Sequence, residues 1–61
     1  MNYAKTIKAL RQAMLLSQEE MAEKLGVSFA TVNRWENGKH EPTYKAKRSI
    51  AALCKKYKME E

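Results

Sequence analysis

Only one cysteine, one proline and two glycines occur among the 61 residues, and no apolar run is long enough to cross a bilayer. Cys54 stands alone, so no disulfide can close within the chain. With His40 as the only histidine, no Cys/His set is spaced to hold zinc. A reducing cytoplasm is the compartment that fits this usage. The first residues, Met1-Asn2-Tyr3-Ala4-Lys5, lack the layout of a secretion signal. β-Branched residues are scattered, without the sustained alternation that strands require. There is no glycine-rich phosphate loop and no nucleophile set beside a base, so an enzyme is a poor reading, and no cofactor is implied. A chain this short lies near the lower limit for folding without staples, and residues 1–61 are expected to form a single domain.

What is present is a large apolar share, 44%, and a formal net charge of +5 from 12 Lys plus Arg against 7 Asp plus Glu. The surplus suits a polyanionic partner, because each neutralised phosphate releases counterions. It also serves solubility, so charge alone does not choose between the two. Gly26, Gly38 and Pro42 divide the chain into helical pieces. Ile7, Leu10 and Met14, with Tyr3 a turn earlier, mark the buried stripe of a first helix from about Tyr3 to Met14. Ser17-Gln18-Glu19-Glu20 is a capping box, with Leu16 and Met21 placed as a hydrophobic staple. The helix it starts should end near Leu25, where Gly26 can take the left-handed conformation. Ser28 is the next cap, for a third helix from Phe29 to about Glu36 that Asn37-Gly38 stops. Thr43 caps a last helix reaching roughly Lys58, with Ala46, Ile50, Leu53, Cys54 and Tyr57 as its apolar stripe.

The unit from Gln18 to Asn37 is thus a short helix, a tight turn and a second short helix. Ala22 allows a close crossing and Gly26 allows the turn. Met21, Leu25, Val27, Val32 and Trp35 face the shared core, which leaves Phe29, Ala30, Asn33 and Arg34 on the outer side, with Ser28 and Asn37 at the ends. Gln18-Glu19-Glu20-Met21-Ala22-Glu23-Lys24-Leu25-Gly26-Val27-Ser28, followed by Val32-Asn33-Arg34-Trp35-Glu36-Asn37-Gly38, closely resembles the Cro and phage-repressor type of helix-turn-helix domain. The resemblance extends from about Ile7 to Leu53. It implies an all-α bundle of four to five helices, lambda-repressor-like, with the helix-turn-helix unit at 18–37. It also implies a regulator of transcription, repressor- or antitoxin-like, that binds double-stranded DNA and catalyses nothing.

On matching positions the resemblance puts Ser28, Phe29, Ala30, Asn33 and Arg34 at base edges in the major groove, and Gln18, Asn37 and Lys39 at phosphates. The chemistry of these side chains agrees. Arg34 can bond two acceptors of guanine, Asn33 can pair bidentately with adenine or touch a phosphate, and Phe29 and Ala30 offer apolar contact to a thymine methyl. Phe29 could instead fold inward onto the turn, and Arg34 could hold a phosphate or a nearby Glu. The resemblance further implies a structural salt bridge between Arg11 and Glu36. His40 reads as a solvated loop residue and Cys54 as core. Two departures stand out. Leu15 occupies a place where the family usually carries glycine, and a positive φ there would be strained. Little chain follows Tyr57, so the usual fourth and fifth helices are merged or the last is lost. Since that last helix often builds the dimer interface, a monomer or a weak homodimer meeting on a palindromic operator is expected. The competing reading is a protein-interaction module on the same fold, binding through Phe29.

Overall fold

The computed structural model describes residues 2–58. Four helices follow one another, α1 (Tyr3–Ala13), α2 (Gln18–Leu25), α3 (Phe29–Glu36) and α4 (Tyr44–Lys56), and no strand occurs among the described residues. The fold is all-α, as the resemblance implies.

Each helix starts on a side chain that accepts from the first turn. Asn2, Ser17, Ser28 and Thr43 accept from the backbone N–H groups of Lys5, Glu20, Thr31 and Ala46. At Ser17 the box is reciprocal: Glu20 N–H donates to Ser17 Oγ at 3.1 Å and Ser17 N–H donates to Glu20 Oε1 at 2.8 Å. The backbone donation from Ser17 holds the Glu20 carboxyl below its ordinary range.

The ends of the first three helices share one device. Leu15 N–H bonds to Gln12 O and Leu16 N–H to Arg11 O, both at 3.0 Å. The same pair of bonds recurs from Gly26 and Val27 after α2, and from Gly38 and Lys39 after α3. This is the Schellman closure, which needs one residue in the left-handed region. That residue is Leu15 at φ 57, Gly26 at φ 71 and Gly38 at φ 73. Two of the three turns use the residue that adopts this conformation without strain, and the first does not. Leu15 stays 90% exposed, so its side chain does not offset the strain by packing.

The core is a single cluster of Ile7, Leu10, Met21, Ala22, Val32, Trp35, Ala46, Ile50 and Cys54. Tyr3, Met14, Leu16, Leu25, Val27 and Leu53 are partly buried against it. α3 packs on both α2 and α1, and α4 closes against α1. Lys47 on α4 lays its ammonium 5.1 Å from the centre of the Tyr3 ring and 3.6 Å from the Glu41 carboxylate, joining the start of α1 to α4.

The boundaries differ from the sequence reading in two places. Met14 is the cap of α1 rather than its last turn. α4 ends at Lys56, with Tyr57 as its cap and 39% exposed, so Tyr57 does not belong to the buried stripe. The chain has left helical geometry there, and Lys58 at φ 56 turns it away. Between Tyr44 and Lys56 the helix is uninterrupted, so among the described residues one helix stands after α3 where the resemblance allowed two.

Candidate nucleic-acid interface

The eight residues of α3 present one side to the core and another to the outside. Val32 is fully buried and Trp35 is 4% exposed. These two anchors, three residues apart, fix which side of the helix faces away. On the outer side Phe29 is 50% exposed, Ala30 and Arg34 are exposed, and Asn33 is half-buried. The alternative in which Phe29 folds onto the turn does not hold at that exposure. Ser28, the cap of α3, is also exposed, but its hydroxyl already accepts from Thr31 N–H at 3.1 Å and lies 2.8 Å from Thr31 Oγ1.

Beside this face runs a polar network that joins three helices. Arg11 on α1 grips Glu36 at the end of α3 with two bonds, Nε to Oε2 at 2.7 Å and Nη2 to Oε1 at 3.1 Å. Its remaining arm donates from Nη1 to the Leu16 carbonyl at 3.0 Å, tying the α1–α2 turn into the same clamp. The two side chains are 16% and 5% exposed. Burial alone would push the Glu36 carboxyl up. The hydrogen bonds from Arg11 and Gln18, with the positive charges of Arg11 and Lys8, outweigh it and hold the carboxyl below its usual range. Arg11 is correspondingly raised, first through its hydrogen bond to Glu36.

Gln18, the first residue of α2, is the third member. Its Nε2 donates to Glu36 Oε1 at 3.1 Å and lies 3.5 Å from Asn33 Oδ1. The start of α2 therefore abuts the outer face of α3. The side-chain nitrogen of Gln18, placed at a phosphate in the sequence reading, faces Glu36 and Asn33. The link from Gln18 to Glu36 was missed. No local spacing signals it, because the two residues are 18 apart in sequence and meet only when α2 and α3 cross.

Asn37 and Lys39 are exposed where α3 gives way to the loop before α4, and Lys39 N–H donates to Arg34 O at 3.0 Å. His40 is exposed in the same loop. The backbone Schellman bonds hold this segment close to the end of α3. Among the described residues no group of His, Cys, Asp and Glu is placed to hold a metal ion, and no helix is long and apolar enough to cross a membrane.

Comparison with curated proteins and with solved structures finds no match. A family model described as helix-turn-helix matches residues 7–60, most of the chain. The short α2, the three-residue turn at Gly26 to Ser28 and the outward face of α3 are that motif in three dimensions. The chain belongs to the Cro/C1-type, XRE-like helix-turn-helix family of DNA-binding transcription regulators.

Proposed function

We propose that the chain works as one domain that binds specific sequences of double-stranded DNA, laying α3 in the major groove, and that it regulates transcription as a repressor or an antitoxin-like protein without catalysis. The observation that carries this reading is the division of α3: Val32 and Trp35 are locked in the core while Phe29, Ala30, Asn33 and Arg34 face out. A rigid helix with a polar and apolar mixture on its outer face is what base edges require. In this reading Arg34 is the chief reader, with a planar fork that matches guanine O6 and N7. Ser28, Phe29 and Ala30 line the start of the helix, where a thymine methyl can be met.

Gln18, Asn37 and Lys39 hold the backbone, together with the first N–H groups of α2, which point outward without helical acceptors. Two domains can share a palindrome with half-sites about one helical turn apart. The free protein is expected to be a monomer or a weak dimer, which sedimentation at micromolar concentration measures.

Selection of bound sequences from random duplex DNA tests the central claim. A short enriched motif supports it. Failure to enrich any motif, with no dependence of duplex affinity on salt, overturns it and favours the protein-interaction reading, to which the half-exposed Phe29 ring lends itself. The role of Arg34 is tested on the selected operator with Arg34→Lys, which keeps the charge and removes the fork. The loss should be about 1–3 kcal/mol and confined to one guanine, with nonspecific affinity nearly unchanged. Identical base preferences for parent and variant would remove Arg34 from the reading set.

A further inference from the structure

The positive charge of this chain does not sit on its helix-turn-helix unit. Residues 18–37 carry two cations, Lys24 and Arg34, against four carboxylates, Glu19, Glu20, Glu23 and Glu36. Residues 42–58 carry six cations and no carboxylate. Four of the six, Lys45, Arg48, Lys55 and Lys56, are exposed on α4, on the side opposite the buried Ala46, Ile50 and Cys54. They span about 16 Å of helix axis. Among the described residues none of the four meets a carboxylate, whereas Lys47, nearer the core, is held by Glu41. Ser49 and Ala52 lie between them and, with Lys45 and Arg48, line a shallow depression. The arrangement works against the helix. Lys45 stands in a first turn that carries no acid, where the dipole disfavours a cation, and Arg48 follows it at a spacing that sets like charges side by side.

From this distribution we infer that the outer face of α4 holds the phosphates of a second DNA duplex, without regard to sequence, while α3 faces the first. The inference rests on the reading above for the first duplex alone. α3 and α4 turn their inner sides into one core, Val32 and Trp35 from the one and Ala46, Ile50 and Cys54 from the other. Their outer faces therefore look in different directions, and a duplex seated on α3 leaves α4 uncovered. The domain measures 18 Å along its shortest axis, about two Debye lengths at physiological salt, so charges behind the core act little on a duplex in front of α3. Side-chain chemistry selects the occupant. Lysine, arginine and serine donate to phosphate oxygens. A protein partner calls for a large anchor at the centre of the contact, and a single strand calls for rings on which bases stack. The centre of this face offers only Ala51 and Ala52, with Tyr44 and Tyr57 at the two ends of the helix.

The test immobilises the selected operator, loads it with protein, washes, and offers a labelled duplex that lacks the operator. The parent should recruit this second duplex, with a log–log salt slope of about −3.6, four phosphates at about −0.9 each. Combining Arg48→Gln, Lys55→Gln and Lys56→Gln removes three charges and keeps good helix formers. At 0.15 M salt each lost phosphate contact is worth about fivefold, so recruitment should fall about a hundredfold, with operator affinity within about twofold of the parent. Arg48→Lys keeps the charge and should recruit like the parent. A parent that recruits no second duplex overturns the inference. So does a triple variant that loses operator affinity in step with recruitment, since α4 would then serve the operator itself. Displacement of the second duplex more readily by poly-glutamate or by a single strand than by unlabelled duplex also overturns it, in favour of those occupants. If selection yields no motif, binding of random duplex by the free protein takes its place. Binding kept in Arg34→Ala and lost in the triple variant refutes the reading role of α3 and leaves the α4 surface standing; the reverse pattern refutes the surface.

Discussion

Replacing Leu15 by glycine should make this protein more stable, although it removes a large apolar side chain. Leu15 closes α1 at φ 57, in a turn whose two counterparts carry Gly26 and Gly38. A left-handed conformation costs an L-residue about 1–2 kcal/mol. Glycine at this site abolishes that cost but widens the unfolded ensemble, which offsets about 0.4–1 kcal/mol. Packing contributes almost nothing to the balance because the side chain is 90% exposed. The net gain is about 0.5–1 kcal/mol, and with about 4–8 °C per kcal/mol for so small a domain the melting temperature should rise by about 2–8 °C. Circular dichroism at 222 nm, the usual helix band, follows the melt. Leu15→Ala is the control: it trims the side chain and keeps the strained backbone, so it should melt close to the parent.

Gly26→Ala is the mirror experiment. A Cβ there meets nothing within 4 Å, so its expected loss of about 1 kcal/mol is a backbone effect alone. The reasoning is refuted if both Leu15→Gly and Leu15→Ala melt below the parent, for then the Leu15 side chain contributes stabilising contacts.

Three further outcomes follow from the packing and the charges. Trp35→Ala should cost about 3–5 kcal/mol, most of what a domain this size has in total, and leave no cooperative melt; a melting temperature within a few degrees of the parent would take Trp35 out of the core. Glu36 has a depressed carboxyl pKa, so its contribution is complete above the ordinary glutamate value of about 4.3 and is lost as pH falls through the folded value. Glu36→Gln should therefore cost about 1.5–3 kcal/mol at neutral pH and flatten the acid limb of the stability curve, and an unchanged acid limb would contradict it. Lys39→Ala should weaken binding to all duplexes alike and lower the salt slope by about one unit, whereas a changed sequence preference would show that Lys39 does more than hold a phosphate.

The parts legible in the sequence are those governed by neighbours along the chain. Ser17 with Glu20, and Ser28 and Thr43 as caps, announce helix starts through chemistry acting over three residues. The stripes Ile7–Leu10 and Val32–Trp35 are readable because burial follows helical spacing. Spacing also indicated the exposure of Arg34 and Ala30, since it follows from the burial of their neighbours. Tyr57 misled because apolar character at the right interval says nothing about where a helix stops. The conformation of Leu15 was readable only as a conditional: local spacing places a turn there, but the backbone angle is set by how α1 must meet α2.

The orientation of the carboxamides was beyond reach for a different reason. A glutamine and an asparagine each offer a donor and an acceptor, and sequence does not say which end faces a given neighbour. Only the Arg11–Glu36 ion pair, built between α1, outside the helix-turn-helix unit, and the end of α3, breaks that symmetry. The same carboxylate thus fastens α1 to α3 and orients the amide that abuts Asn33. Loss of the Gln18 amide leaves both Arg11–Glu36 bonds and the Leu16 tether in place. Gln18→Met should therefore lose no more than the one hydrogen bond to Glu36, about 0.5–1.5 kcal/mol, and keep a cooperative melt by circular dichroism, whereas a non-cooperative melt would show that the Arg11–Glu36 pair cannot stand without it.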